Sequence, residues 1–200
     1  MQLEYIDRTT YRQKTTPDYI NHLRNKYGRF YLLPEGGSNT LAIQGCAEIV
    51  DEINTSLNSN AFDSLCVASG TGATLAGLIK GIMDSRLSTP QTAMGFAALK
   101  GAEFLTKDVA DFLQQAGVIS NNNWHINTDY HFGGYAKTNN ALFLFMEKFQ
   151  NDFNIPLDAV YTGKMFYGLF DLISKGHFAT GSRIVAIHTG GLQGNKGFKF

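Results

Sequence analysis

At 200 residues, 44% hydrophobic and 17% charged, the chain is long enough to bury a core and too apolar to be disordered. Lys+Arg and Asp+Glu are equal at 17 each, so the formal net charge is zero and no basic field exists to hold a nucleic-acid backbone. The partners suggested are small molecules or a second copy of the protein. Cys46 and Cys66 sit in apolar surroundings without a CxxC partner, which predicts reduced core thiols and no metal site. The start, MQLEYIDRTTYRQK, is too polar for a signal peptide, and no apolar run approaches a membrane span. A cytoplasmic location follows by default.

Strand-like and helix-like patterns alternate along the chain. Leu3–Ile6 reads as a short strand. Asp18–Lys26 reads as a helix opened by Thr16-Pro17, where proline is tolerated. Arg29–Leu33 reads as a strand closed by Pro34. A polar glycine loop, Glu35–Asn39, precedes a helix from about Leu41 to Ile53. Ser64–Ala68 is an apolar run followed by Ser69-Gly70, and Leu75–Met83 has helical spacing. Ala93–Leu99 is a second apolar strand, and Lys107–Ala116 a helix. Asn127–His131 reads as extended before a Gly133-Gly134 break. Asn139–Phe153 places Leu142, Phe145, Met146 and Phe149 on one helical face. Ala159–Tyr161 reads as a brief strand, Met165–Ser174 as a helix ended by Gly176, and Arg183–His188 as a final buried strand.

Strands apolar along their whole length, alternating with helices, predict an α/β fold with a mostly parallel sheet flanked by helices. Residues 1–38 are more polar and read as part of a smaller lobe. Residues 39–200 read as the larger one, with Pro34–Gly37 as a hinge.

The segment Ser69-Gly70-Thr71-Gly72-Ala73-Thr74 lies between an apolar strand and an apolar helix. Glycines there allow a sharp turn and close approach of a ligand. The N–H groups at the start of the helix attract an anion, and the hydroxyls of Ser69, Thr71 and Thr74 add donors. The loop lacks the Lys-Ser/Thr of a P-loop, and Leu75 stands where a dinucleotide fingerprint needs its third glycine. A purely structural strand–helix turn would use the same glycines. Four further glycine clusters recur: Pro34–Asn39, His131–Tyr135, Val160–Lys164 and His188–Leu192. Most would follow a strand, where ligands of parallel α/β sheets bind.

LLPEGGSN (Leu32–Asn39), ASGTGATLAGL (Ala68–Leu78), VYTGK (Val160–Lys164) and HTGGLQG (His188–Gly194) together resemble the 1-aminocyclopropane-1-carboxylate deaminase / D-cysteine desulfhydrase family. These are pyridoxal 5′-phosphate (PLP) enzymes with the fold of the tryptophan synthase β-subunit. The resemblance implies that Ser69, Gly70, Thr71, Gly72, Ala73 and Thr74 cradle the cofactor phosphate. It implies that Tyr135 lines the substrate pocket, that Tyr161 is an acid/base near the reacting carbon, and that Thr162 faces the pyridine nitrogen. The deaminase resembles this stretch but carries glutamate at the place of Thr162. A threonine hydroxyl suits an unprotonated nitrogen and a weaker electron sink. That leans the expectation toward desulfhydrase-like β-elimination from a small amino acid, releasing ammonia, sulfide and a keto acid. The resemblance also implies a homodimer.

The family's Schiff-base lysine stands in a glycine-asparagine-lysine context that this sequence lacks. Lys164 falls at a structural helix start by the same resemblance, and Lys80 and Lys100 read as solvated. The match begins partway through the smaller lobe, so the fold is expected to be incomplete at the N-terminus, with Met1 as an internal methionine. The isolated chain is expected to be marginally stable, with exposed apolar edges, and inactive alone. Two alternatives remain open: a truncated non-catalytic remnant, and a phosphate- or nucleotide-binding module.

Overall fold

The structure, a computed structural model, describes residues 3–57, 62–85, 91–119 and 123–198. It divides into two compact units, Met1–Leu33 and Pro34–Phe200.

In the first unit, α1 (Arg8–Arg12) starts at Asp7, whose carboxylate accepts from the amides of Thr9 and Thr10. The sequence reading missed this helix. The second, α2 (Pro17–Tyr27), is capped by Thr16 with proline in its first turn, as expected. Lys26 pairs with Glu4 at 2.6 Å, and the Tyr27 hydroxyl donates to the same carboxylate. The two expected strands, Leu3–Ile6 and Arg29–Leu33, are not strands. Their β-favouring side chains stay exposed, Tyr31 and Leu33 among them, and a strand exists only where a neighbour pairs its backbone.

The second unit is an α/β layer. Its elements are α3 (Thr40–Ser56), β1 (Ser64–Ser69), α4 (Ala73–Asp84), β2 (Thr92–Ala97), α5 (Phe104–Gln115), β3 (Trp124–Asn127), α6 (Asn140–Phe153), α7 (Thr162–Ser174) and β4 (Ile184–Ile187). The sheet runs β3-β2-β1-β4, and every pairing is parallel. Side chains alternate across β1. Leu65 and Val67 pack with α3, α4 and α5, while Cys66 packs with Met165 and Leu169 of α7. Both faces are therefore covered, which explains why β1 and β2 read as continuous apolar runs. Among the described residues no helix is long and apolar enough to cross a membrane.

Two expected extended segments move. The third strand is Trp124–Asn127 rather than Asn127–His131, because Ala93 to Phe96 of β2 register with Trp124 to Asn127. Ala159–Tyr161 is a turn, not a strand, because the Asp158 carboxylate gathers its amides.

A glycine seam joins α3 to α4. A Cβ on Gly77 would lie 2.3 Å from Cys46 Cβ and 2.8 Å from the Ile43 carbonyl. One on Gly81 would lie 2.5 Å from the Ala47 carbonyl. The two helix backbones are in direct contact there, an approach only glycine permits.

Connectivity positions the site. From β1 the chain steps outward to β2 and β3, then returns to place β4 on the other side of β1. The strand order thus reverses at β1, and in open parallel sheets ligands bind beyond the carboxyl ends at such a reversal.

Candidate cofactor site

Beyond β1 the chain turns through Ser69–Gly72 into α4. Gly72 is left-handed at φ 85° and, as the N-cap of α4, has no side chain to offer the helix amides. A Cβ on Gly72 would lie 2.6 Å from Val109 of α5, so the position excludes side chains by conformation and by space. The first-turn amides of a helix have no intrahelical acceptor. Here they open onto a cavity of about 690 Å³ whose walls include Gly70, Thr71 and Thr74. The cavity also gathers Ala68 and Leu99 near the ends of β1 and β2, Thr189–Gly191 after β4, and Gly36 of the 34–39 loop.

The loops are held against one another. The Ser38 hydroxyl donates to Thr71 Oγ1 at 2.7 Å, and a Cβ on Gly36 would lie 2.9 Å from the Thr71 methyl. Asn39, not Ser38, caps α3, accepting from the Ala42 amide at 2.9 Å. The Thr74 hydroxyl meets the Cys46 thiol, whose pKa is nonetheless pushed up by burial. Ser69 is placed otherwise than its hydroxyl suggested. Its Oγ is buried without a hydrogen-bond partner among the described residues, next to the space above Gly95. Ser69 can serve the cradle only through its backbone. Ala73 likewise offers only its amide, its side chain being buried.

The tyrosines meet beside the cradle turn. Tyr161 and Tyr135 both line the cavity; their rings are 6.0 Å apart and edge-on, with the hydroxyls hydrogen-bonded. A Cβ on Gly70 would lie 3.1 Å from the Tyr161 ring, so this tyrosine leans on the cradle turn itself. Burial raises the Tyr161 pKa well above that of an ordinary phenol. The hydrogen bond to Tyr135 and the negative charges of Asp158 and Glu35 raise it further. Tyr161 is a protonated group at neutral pH.

Thr162 does not face the cavity. It is fully buried at the start of α7, and its hydroxyl donates to Asp158 Oδ2 at 2.6 Å. The same hydroxyl oxygen accepts from the Asp158 amide at 2.9 Å. The Asp158 carboxylate, itself 1% exposed, also accepts from the amides of Val160, Tyr161 and Thr162. The threonine-based preference for one substrate therefore loses its structural footing. The threonine that lines the cavity from a neighbouring strand end is Thr189. Sequence reasoning marked the loop that holds Thr189 and Gln193 but gave neither residue a role, and it passed over Asp158. Thr189 was signalled by its place directly after a strand, and Asp158 by its spacing of four from Thr162.

Lys164 points away as well. Its buried ammonium donates to the carbonyls of Gly134 (2.7 Å), His131 (3.0 Å) and Ala98 (3.4 Å). No lysine is among the described residues that wall the cavity. A second hollow of about 620 Å³ lies along α6, walled by Phe143, Leu144, Met146 and Leu157. The amino end of α6 beside it is already capped by Asn139, so it offers an anion nothing comparable.

The cradle suits a phosphate monoester: helix amides behind an N-cap that has no side chain, a left-handed glycine that admits none, and two threonines, with Glu35 as the acid on the cavity wall. Comparison with known proteins shows the family. A putative 1-aminocyclopropane-1-carboxylate deaminase of Pyrococcus horikoshii is 34% identical over 184 residues, 90% of this chain and 55% of that protein. A D-cysteine desulfhydrase of Salmonella typhi is 32% identical over 197 residues, 95% of this chain and 59% of that protein. The crystal structure of an ACC deaminase homologue superposes with a TM-score of 0.81 at 32% identity, covering 97% of this chain and 59% of the other. The chain thus spans somewhat more than half the length of these relatives. The family described as "Pyridoxal-phosphate dependent enzyme" matches residues 8–190. That match takes in every strand of the sheet and all the residues that line the cavity except Gly191 and Gln193, and the chain belongs to this family of pyridoxal-phosphate dependent enzymes.

Proposed function

We propose that this chain is the cofactor-binding portion of a lyase or deaminase acting on a small amino acid, through D-cysteine desulfhydrase-like β-elimination or 1-aminocyclopropane-1-carboxylate deaminase-like ring opening. Residues 39–200 form its cofactor lobe and residues 1–38 part of a smaller lobe. The observation that carries this reading is that the glycine turn at the amino end of α4 and the Tyr135–Tyr161 pair share one cavity at the strand reversal. Pyridoxal phosphate, when bound, supplies an electron sink that makes bonds at an amino acid's α-carbon labile.

The protein's residues divide the remaining work. Backbone amides from Gly70 to Thr74, with the Thr71 and Thr74 hydroxyls, bind and orient the phosphate. Gly70 keeps the turn thin enough for Tyr161 to stand beside it. Because its pKa is raised, Tyr161 holds a proton at neutral pH, so its part is to present one to the reacting atoms rather than to remove one. Tyr135 orients that hydroxyl. Thr189 is the hydroxyl at hand for the pyridine nitrogen.

Titration with pyridoxal phosphate, followed by cofactor absorbance, tests the cradle. Saturable binding that inorganic phosphate displaces, and much weaker binding of unphosphorylated pyridoxal, is the expected result. Equal affinity for the two forms would sink the assignment. The substrate is read from sulfide release on D-cysteine against ammonia release on 1-aminocyclopropane-1-carboxylate, in an intact relative carrying this chain's cavity residues.

A further inference from the structure

Lys164 is 2% exposed, and a cation so buried ordinarily has a carboxylate partner. Its ammonium is instead surrounded by three carbonyl oxygens drawn from two segments. Ala98 lies just past β2. His131 and Gly134 belong to the loop that ends at Tyr135. That loop is conformationally costly. Phe132 and Ala136 are at φ 54° and 53°, and Gly133 and Gly134 at 97° and 127°. Left-handed backbone at non-glycine residues persists only where its surroundings enforce it.

The internal bonds of the loop are few: Gly134 N–H to the His131 carbonyl, Lys137 N–H to the Gly134 carbonyl, and Gly133 N–H to the His131 imidazole. The ammonium is what fastens the first two carbonyls to α7 and to the end of β2.

We propose that Lys164 is a positioning residue for the tyrosine pair: by gathering the carbonyls of His131 and Gly134 it sets Tyr135 against Tyr161. Its part in turnover rests on the function proposed above; the positioning itself does not. The carbonyl adjoining Tyr135 is the one held most tightly, at 2.7 Å. The charged and titratable groups around the clamp are Asp158 before α7, the His131 imidazole, Lys100 beside Gly134, Lys137 beside Gly133, and the tyrosines themselves. Of these, Asp158 favours the ammonium. Burial outweighs it and brings the lysine down to about 8.

The test is a pH titration of ring-labelled tyrosines by NMR, which needs no cofactor. In the wild type the Tyr161 signal should hold its proton to higher pH than ordinary tyrosines. Lys164→Met should raise its ionisation constant by about tenfold, or one pH unit. Tyr135→Phe should do the same, and the double variant should show no further change, because one route carries both effects. Lys164→Arg, which keeps donors for the carbonyls, should recover part of the shift.

An unmoved Tyr161 midpoint in Lys164→Met, or an equal further shift in the Tyr135→Phe background, overturns the proposal. If Lys164→Met does not fold, the wild type still decides. Loss of a proton from the ammonium removes one of its three donors, so the Tyr135 ring signal should inflect near pH 8. A Tyr135 signal that is flat there overturns it equally. A protein that fails to bind pyridoxal phosphate would sink the proposed function and leave this result standing.

Discussion

Two turns into helices, 69–74 and 158–164, look alike in sequence and differ in what fills them. Both carry glycine and threonine, two of each in the first and one of each in the second, and each delivers the chain into a helix that covers the sheet. The second carries its own anion. The Asp158 carboxylate accepts from three successive amides and a hydroxyl, so the turn into α7 is held by its own acid. The first carries no acid within its own turn. Gly72 brings no side chain to the amides of α4, and the acid among the residues that line the cavity, Glu35, comes from the 34–39 loop. An anion site in this fold is therefore marked less by glycine than by the lack of a carboxylate inside the turn itself. Asp158 does for one helix what a ligand's phosphate is expected to do for the other.

The comparison can be broken by exchanging the properties of the two turns. Asp158→Ala should have the largest effect. It strands three buried amides and the Thr162 hydroxyl, and should cost about 3 kcal/mol or more in chemical denaturation. Gly72→Val comes next. It forces a β-branched residue into left-handed backbone and against Val109, at a cost of about 1–3 kcal/mol. It should also abolish displacement of pyridoxal phosphate by inorganic phosphate.

Thr162→Val should lower stability by about 1–2 kcal/mol through the loss of its bonds with Asp158, while leaving the bound cofactor's absorption band in place. Thr189→Val should do the reverse. Were Thr162→Val to move the band, the threonine would be a ligand after all. Ser69→Ala should be the smallest, within about 0.5 kcal/mol, since the hydroxyl it removes is buried without a partner. Unchanged phosphate affinity in that variant would show that this residue contributes only its backbone.

What the sequence disclosed follows from how local each cause is. The strands β1 and β2 were legible because burial on both faces makes them apolar throughout, and most helices were legible from their caps and periodicity. Leu3–Ile6 and Arg29–Leu33 misled because β-favouring composition does not supply a pairing partner. The cradle was legible as a glycine turn between a strand and a helix. The true place of Thr162 was not, since it depends on a carboxylate four residues earlier, and that spacing is a weak mark beside the glycine and threonine of the turn. The orientation of Ser69 was equally hidden, because it is decided by which face of β1 its side chain joins. Lys164 looked unremarkable on α7; only the tertiary arrangement brings carbonyls from Ala98, His131 and Gly134 to its tip.

The seam at Gly77 and Gly81 gives the ligand end of α4 a remote anchor. Where two helix backbones touch, neither can slide along the other without a collision, so the depth at which the first turn of α4 sits is fixed one and two turns further along. Any methyl group added at the seam would lift the whole rod. Loss of cofactor affinity should then map not only to the mouth of the cavity but also to a narrow strip on the far flank of the helix, among residues that touch no ligand at all.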